Sequence, residues 1–312
     1  MVAPFFFEDG AWQIFTKVGR ASFMSILQKT EEHVVEELLL PVLDHLSNGH
    51  LDIPMLPHVA SQVLLLANNP EGNATKLGAL IQQDQVLACR VLQLANSAAY
   101  GSRYPIESLP QAISWLGLNF LAGTAFSFSV QSGVFNVDGY EKEVQGLWAY
   151  TLTVALYGKA IAGELGLNPE NAFLCGLLHA IGKPYVTHTV NFHQRSSDVR
   201  HPWPVLDRVI RESYVEAGRQ LAVAWELPES VREAIMLHED CACEKATSPV
   251  KGAAITCLAR HLANSILSSD VVDEQQITAL PVAQLLGVSQ SHVASWLDMR
   301  ESIQANVAPM VI

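Results

Sequence analysis

Asn168-Pro169-Glu170-Asn171-Ala172-Phe173-Leu174-Cys175-Gly176-Leu177-Leu178-His179-Ala180-Ile181-Gly182-Lys183 carries the strongest local signal in this chain. Asn168 and Pro169 open it as a helix start, because an amide side chain caps orphan backbone donors and a proline in the first turn gives up no needed N–H. Phe173, Leu174, Leu177, Leu178 and Ile181 recur at helical spacing, and Gly182 is expected to stop the helix. His179 lies on or beside that apolar stripe. A buried imidazole must bond its ring nitrogens or hold a metal, so its place there raises a chemical question.

The phrase Gly176-Leu177-Leu178-His179-Ala180-Ile181-Gly182-Lys183 resembles the central motif of the HD superfamily of metal-dependent phosphohydrolases, written G-L-L-H-D-I-G-K. The aspartate that would bind metal beside the histidine is Ala180 here, and a methyl group cannot coordinate a cation. Upstream, three further phrases resemble the HDOD domain, a regulatory branch of that superfamily: Ile81-Gln82-Gln83-Asp84, Leu92-Gln93-Leu94-Ala95-Asn96-Ser97-Ala98-Ala99-Tyr100-Gly101, and the run from Ile106 to Gly117. Downstream, Gly218-Arg219-Gln220-Leu221 and Trp225-Glu226-Leu227-Pro228-Glu229 continue the pattern. The resemblance implies an all-α fold of two helical subdomains, the second HD-like. It places an HDOD domain over 51–268, divided into 51–135 and 140–268, with helical extensions over 1–50 and 269–312.

In catalytic HD proteins the resemblance implies a histidine on a long helix, the His-Asp pair, and an aspartate on a late helix. Such nitrogen and carboxylate donors hold a cation that turns bound water into a nucleophile. Tyr150, in Leu147-Trp148-Ala149-Tyr150-Thr151, stands where the first histidine is expected. Arg260, in Ile255-Thr256-Cys257-Leu258-Ala259-Arg260, stands where the last aspartate is expected. Of these positions only His179 is kept, with His238 as an auxiliary candidate. A fixed guanidinium repels a divalent cation. The expectation is therefore no metal and no cofactor, with a divalent metal as the alternative.

Two readings stay open for the residues that remain. Arg260 and His179, with Lys183 and His238 nearby in the motif's terms, could hold a small anionic ligand; the ordinary reading pairs Arg260 with an acidic residue and His179 with a carbonyl. Asn96, Ser97 and Tyr100 are likewise ligand-contact candidates, against the plainer view that they end a helix. Cys175, four residues before His179, reads as a small core thiol rather than a reactive one.

The 312 residues suffice for a large core, and 49% hydrophobic with 16% charged residues is a globular composition. A net charge of −12 without any basic run argues against nucleic-acid binding. No apolar run approaches the ~20 residues of a membrane helix, so no membrane partner is expected and a cytoplasmic location is. Five cysteines are scattered; Cys241 and Cys243 form a lone C-x-C, which is no zinc framework, and reduced thiols are expected.

Helical periodicity runs along the whole chain. Residues 11–48 read as an extension with Val34, Val35, Leu38, Leu39, Val42 and Leu46 on one face and a kink at Pro41; 51–57 is a proline-marked linker. Asp84 caps one helix, and Ser108 with Gln111 forms a capping box for another. A long helix is expected from Tyr140 to Leu165, and a solvated polar loop around His188, His193 and His201. Ser213 and Glu216 form a second capping box, opening a helix to Trp225. Pro281, Leu285, Leu286, Trp296 and Leu297 make the tail amphipathic, so the ends could pair in a homo-oligomer. There is no P-loop, dinucleotide fingerprint or nucleophile elbow. The function expected is a non-catalytic regulator in bacterial signal transduction that binds a protein partner or small ligand. The alternative is a metal-dependent phosphohydrolase of nucleotides or phosphoesters.

Overall fold

The computed structural model describes residues 32–44, 57–67, 74–98, 100, 104–134, 137–197, 200–240, 251–267 and 274–311. Among these residues there is no strand; every regular element is a helix. The readings of residues 11–31 and 51–56 and of Cys241 and Cys243 lie outside them. No single helix among the described residues is long and apolar enough to cross a membrane.

The first half comprises α1 (32–44), α2 (His58–Ala67), α3 (Ala74–Gln82), α4 (Gln85–Ala95), α5 (Leu109–Leu116) and α6 (Leu118–Val134). Pro41 lies within α1, whose Val35 and Val42 are buried. Asp84 caps α4 by accepting from Leu87 N at 3.0 Å. Ser108 and Gln111 form the reciprocal capping box of α5, whose end at Gly117 has φ of +85°. Asn96 ends α4: its amide donates to the carbonyls of Leu92 (2.9 Å) and Ile106 (2.8 Å) and accepts from Ile106 N at 2.8 Å. That is the helix-ending role, with the side chain stitching α4 to the approach of α5.

The second half is built on α7 (Glu141–Glu164), ended by Gly166 at φ +66°. Then come α8 (Pro169–Leu178), α9 (Gly182–Ser197), α10 (Trp203–Ala224), α11 (Glu229–Leu237) and α12 (Lys251–Leu267). A Cβ on Gly158 of α7 would sit 3.0 Å from Ala172 O, and one on Gly176 of α8 would sit 2.7 Å from Ala155 Cα. The two helices therefore touch backbone to backbone, running antiparallel. A Cβ on Gly123 of α6 would sit 3.2 Å from the Phe173 ring of α8, and this close approach joins the halves through one continuous core.

Four expectations are corrected. The expected polar loop is helical through His188 and His193, with His201 alone of the three in coil: α9 continues to Ser197, because Asn191 donates to Asp138 O (3.0 Å) and the buried Gln194 accepts from Tyr140 Oη (3.0 Å). Ser213 starts nothing; it lies inside α10, where its hydroxyl bonds back to Val209 O at 2.8 Å, and Glu216 instead pairs with Arg219. Gly182 begins α9 rather than ending α8, after a turn over residues 179–181. As for the thiols, Cys89 and Cys175 are free but Cys257 is disulfide-bonded, against the reduced set expected.

The tail is part of the bundle. It folds as α13 (Glu274–Ala279), α14 (Pro281–Leu285), α15 (Gln290–Asp298), α16 (Arg300–Val307) and a 3-10 turn, Ala308–Met310. Trp296 is fully buried with its indole N–H donating to Glu164, Trp148 donates to Met310 O at 3.1 Å, and Arg300 donates to Ser265 O at 2.8 Å. The apolar face formed by Val293, Trp296, Ile303 and Met310 is covered by this chain itself.

Candidate functional site

The end of α8, the start of α9, mid-α7, mid-α10, the end of α11 and mid-α12 converge on one place. His179 is the C-terminal cap of α8 and is 2% exposed. Its Nδ1 lies 2.6 Å from Gly176 O; a carbonyl only accepts, so Nδ1 carries the proton. Nε2 is then an acceptor, and it has no hydrogen-bond partner among the described residues. The ring meets Tyr150 edge-on at 5.8 Å and His238 at 5.0 Å between centroids. Burial, then His238 and Arg260, drive its pKa well below the ordinary value, so it is neutral.

His238 caps α11. Its Nδ1 faces the carbonyls of Ala234 (3.0 Å) and Ile235 (2.9 Å), so that nitrogen is protonated and Nε2 accepts. Tyr214 Oη of α10 lies 2.9 Å from this Nε2 and also bonds a Glu239 carboxylate oxygen. One hydroxyl proton thus lies between two acceptors. Burial and the Arg260 charge push His238 down to about 4, with Glu239 opposing. Burial alone would raise the Glu239 carboxyl, but the Tyr214 hydroxyl and Arg260 hold it below its usual value.

Arg260 comes from α12. Its Nη1 donates to His238 O at 2.8 Å, its Nη2 reaches Glu239 at 3.5 Å, and its Nε lies 3.4 Å from Tyr150 Oη. Arg260 thus pairs with an acidic side chain and a carbonyl, and His179 with a carbonyl. Lys183, one residue into α9, is different. Its Nζ lies 4.9 Å from the Tyr214 ring centroid and 6.0 Å from that of Tyr150, and it makes no hydrogen bond or carboxylate contact among the described residues. Burial and Arg260 lower its pKa, against Asp207 and Glu239. Tyr214 and Glu239 were not legible as site residues; a tyrosine inside an amphipathic helix carries no local signal.

These donors do not suit a divalent cation. Ala180 is buried and has no donor, the His238 Nε2 is engaged by Tyr214, and Glu239 is bound by a phenol and a guanidinium. Among the described residues no group of three or more His, Cys, Asp or Glu side chains is placed to hold a metal ion. Cys175 is a buried thiol pushed up to about 12 by burial, and it bonds Ser230 O at 3.4 Å. It is a core group. Ser97 and Tyr100 lie in the other half, far from this convergence in the chain. Both their hydroxyls are buried without partners among the described residues, and Tyr100 packs on Phe120 at 5.3 Å.

The HDOD domain model matches residues 53–241 of this chain. An uncharacterized protein of Treponema pallidum is 26% identical over 197 residues, which is 61% of this chain but 38% of that protein. The chain thus spans well under half the length of that curated relative. Among crystal structures, an HDOD domain protein of unknown function from Geobacter sulfurreducens is 25% identical with a TM-score of 0.68, covering 88% of this chain and 99% of its own. A candidate phosphohydrolase from Shewanella amazonensis is 22% identical with a TM-score of 0.64, over 86% of this chain and 97% of its own. A candidate signal-transduction protein from Marinobacter aquaeolei is 19% identical with a TM-score of 0.63, over 90% of this chain and 66% of its own. The last two share the fold.

Proposed function

Because the chain belongs to the HDOD domain family, we propose that it is a non-catalytic regulatory protein of a bacterial signalling pathway, acting by binding a protein partner or small ligand. The observation that carries this reading is Arg260. Its guanidinium bridges α12 to the end of α11 and to Tyr150 of α7, so a fixed positive charge lies among the residues where hydrolytic chemistry needs carboxylates. A catalytic centre of this type needs about three protein donors and an open position. His179 Nε2 is one donor.

The test is turnover. With Mn²⁺, Mg²⁺ or Fe²⁺ supplied, hydrolysis of phosphomonoesters, nucleotides and cyclic dinucleotides should stay at background. Metal-dependent turnover that disappears in His179→Ala would sink the regulatory reading.

A second reading, a metal-dependent phosphohydrolase, has one observation in its favour. The His179 and His238 rings lie 5.0 Å apart, and His179 Nε2 has no protein partner among the described residues. Two imidazoles without a carboxylate make a poor cage, so the regulatory reading is preferred.

A further inference from the structure

We propose that His179, Lys183 and Arg260 form a metal-independent site for one small oxyanion that still carries a proton, hydrogen phosphate or a phosphate monoester monoanion. The inference rests on the non-catalytic reading and names a ligand for it. All three residues surround one ring. Tyr150 meets His179 at 5.8 Å, faces Lys183 Nζ at 6.0 Å and lies 3.4 Å from Arg260 Nε. Two cations thus share the place with the Glu239 carboxylate, whose side chain is 56% exposed, while Asp207 also acts on Lys183.

Among the described residues, the Lys183 ammonium is the charged group of this site without a hydrogen-bond acceptor. Two aromatic faces hold its position, but a ring face accepts no conventional hydrogen bond, so three N–H donors lack oxygen acceptors among the described residues. A partly buried cation in that state favours an external anion, and a charge-assisted bond to oxygen is about twice as strong as a neutral one. Arg260 adds charge more than donors, since Nη1 is already used on His238 O.

His179 sets the kind of anion. Its Nδ1 proton is engaged by Gly176 O, and its Nε2 lone pair faces no donor among the described residues. A fully deprotonated oxyanion such as sulfate would set an oxygen lone pair against a nitrogen lone pair. Hydrogen phosphate can accept from Lys183 and donate its remaining O–H to Nε2. The site is therefore matched in both polarity and proton count.

The experiment is calorimetric titration of the full chain in excess chelator, at constant ionic strength, with inorganic phosphate, adenosine monophosphate and sulfate as probes. Saturable phosphate binding is expected, with sulfate weaker by about tenfold or more and Lys183→Gln weakening phosphate by about ten- to hundredfold. Tighter binding of the nucleotide than of free phosphate identifies a nucleotide as the ligand, and equal or weaker binding identifies phosphate itself; either supports the site. Equal affinity for sulfate and phosphate, unchanged binding in Lys183→Gln, or no saturable binding overturns it. Should Lys183→Gln lose its helical circular dichroism, Lys183→Arg takes its place and must keep phosphate binding within about tenfold, because the charge is retained. Binding that needs Mn²⁺ and comes with turnover defeats both this site and the regulatory reading. Absence of binding without turnover defeats the site alone.

Discussion

At the scale of single residues, the Arg260 guanidinium joins three helices through a carbonyl, a phenol and a carboxylate. Its side chain is only 22% exposed, but its acidic partner lies largely in solvent, so the ion pair itself contributes about 0–1 kcal/mol. The larger loss in Arg260→Ala is the charged bond to His238 O, about 1.5–3 kcal/mol. Thermal melts should show a drop of several degrees; a curve matching the wild type would mean the three contacts hold nothing together. A pH effect follows from the same cluster. His238 is depressed to about 4 and His179 well below its ordinary value, so both are neutral in the folded protein and gain protons on unfolding. Their contribution is complete above the ordinary histidine range near 6.5 and is lost as pH falls toward about 4. The melting temperature should therefore decline between pH 7 and 4, and His238→Asn should flatten that decline. His179, Arg260 and the absence of a carboxylate at Ala180 were legible from the motif phrases. The Tyr214–Glu239 partnership was not, since it depends on how α10 lies across α11.

At the scale of elements, the motif's glycines act through space. A Cβ on Gly182 would fall 1.9 Å from Tyr214 O and 2.7 Å from Gly218 N, both on α10. No side-chain adjustment removes a backbone clash, so Gly182→Ala must push α9 off α10 and displace Lys183. A cost of about 3 kcal/mol or more is expected, with loss of any ligand site at that junction. Gly146 on α7 has nothing within 4 Å of its Cβ position, and it lies exposed inside a helix. Gly146→Ala should stabilise by about 0.5–1 kcal/mol, because only the flexibility of the unfolded chain changes. Denaturant titrations of the two variants should move in opposite directions. Helix presence was readable from periodicity because most helices bury one stripe. Boundaries failed where a polar residue had a distant partner: Ser213 imitates a cap but bonds one turn back, and Gln194 imitates a loop residue but is buried against Tyr140.

At the scale of the whole molecule, the matched family region ends at residue 241, yet Arg260 and the whole tail lie beyond it. The amphipathic tail was visible in the sequence, but its destination was not, since nothing local says that Trp148 waits for Met310 O. Removing residues 274–311 should bare Trp148 and the Glu164 end of α7, red-shifting tryptophan emission and abolishing a single cooperative melt. A truncated chain with native-like emission and one sharp transition would show that the tail is an addition to a finished bundle. That same Trp148–Met310 bond joins residues 162 positions apart. At about 5–20 residues per second, translation takes roughly 8–30 s to cover such a distance, so α7 emerges from the ribosome long before the carbonyl that covers its indole. Through that interval a large aromatic face stays uncovered on each nascent chain, and neighbouring chains on a crowded polysome, or the chaperones that keep them apart, meet it first.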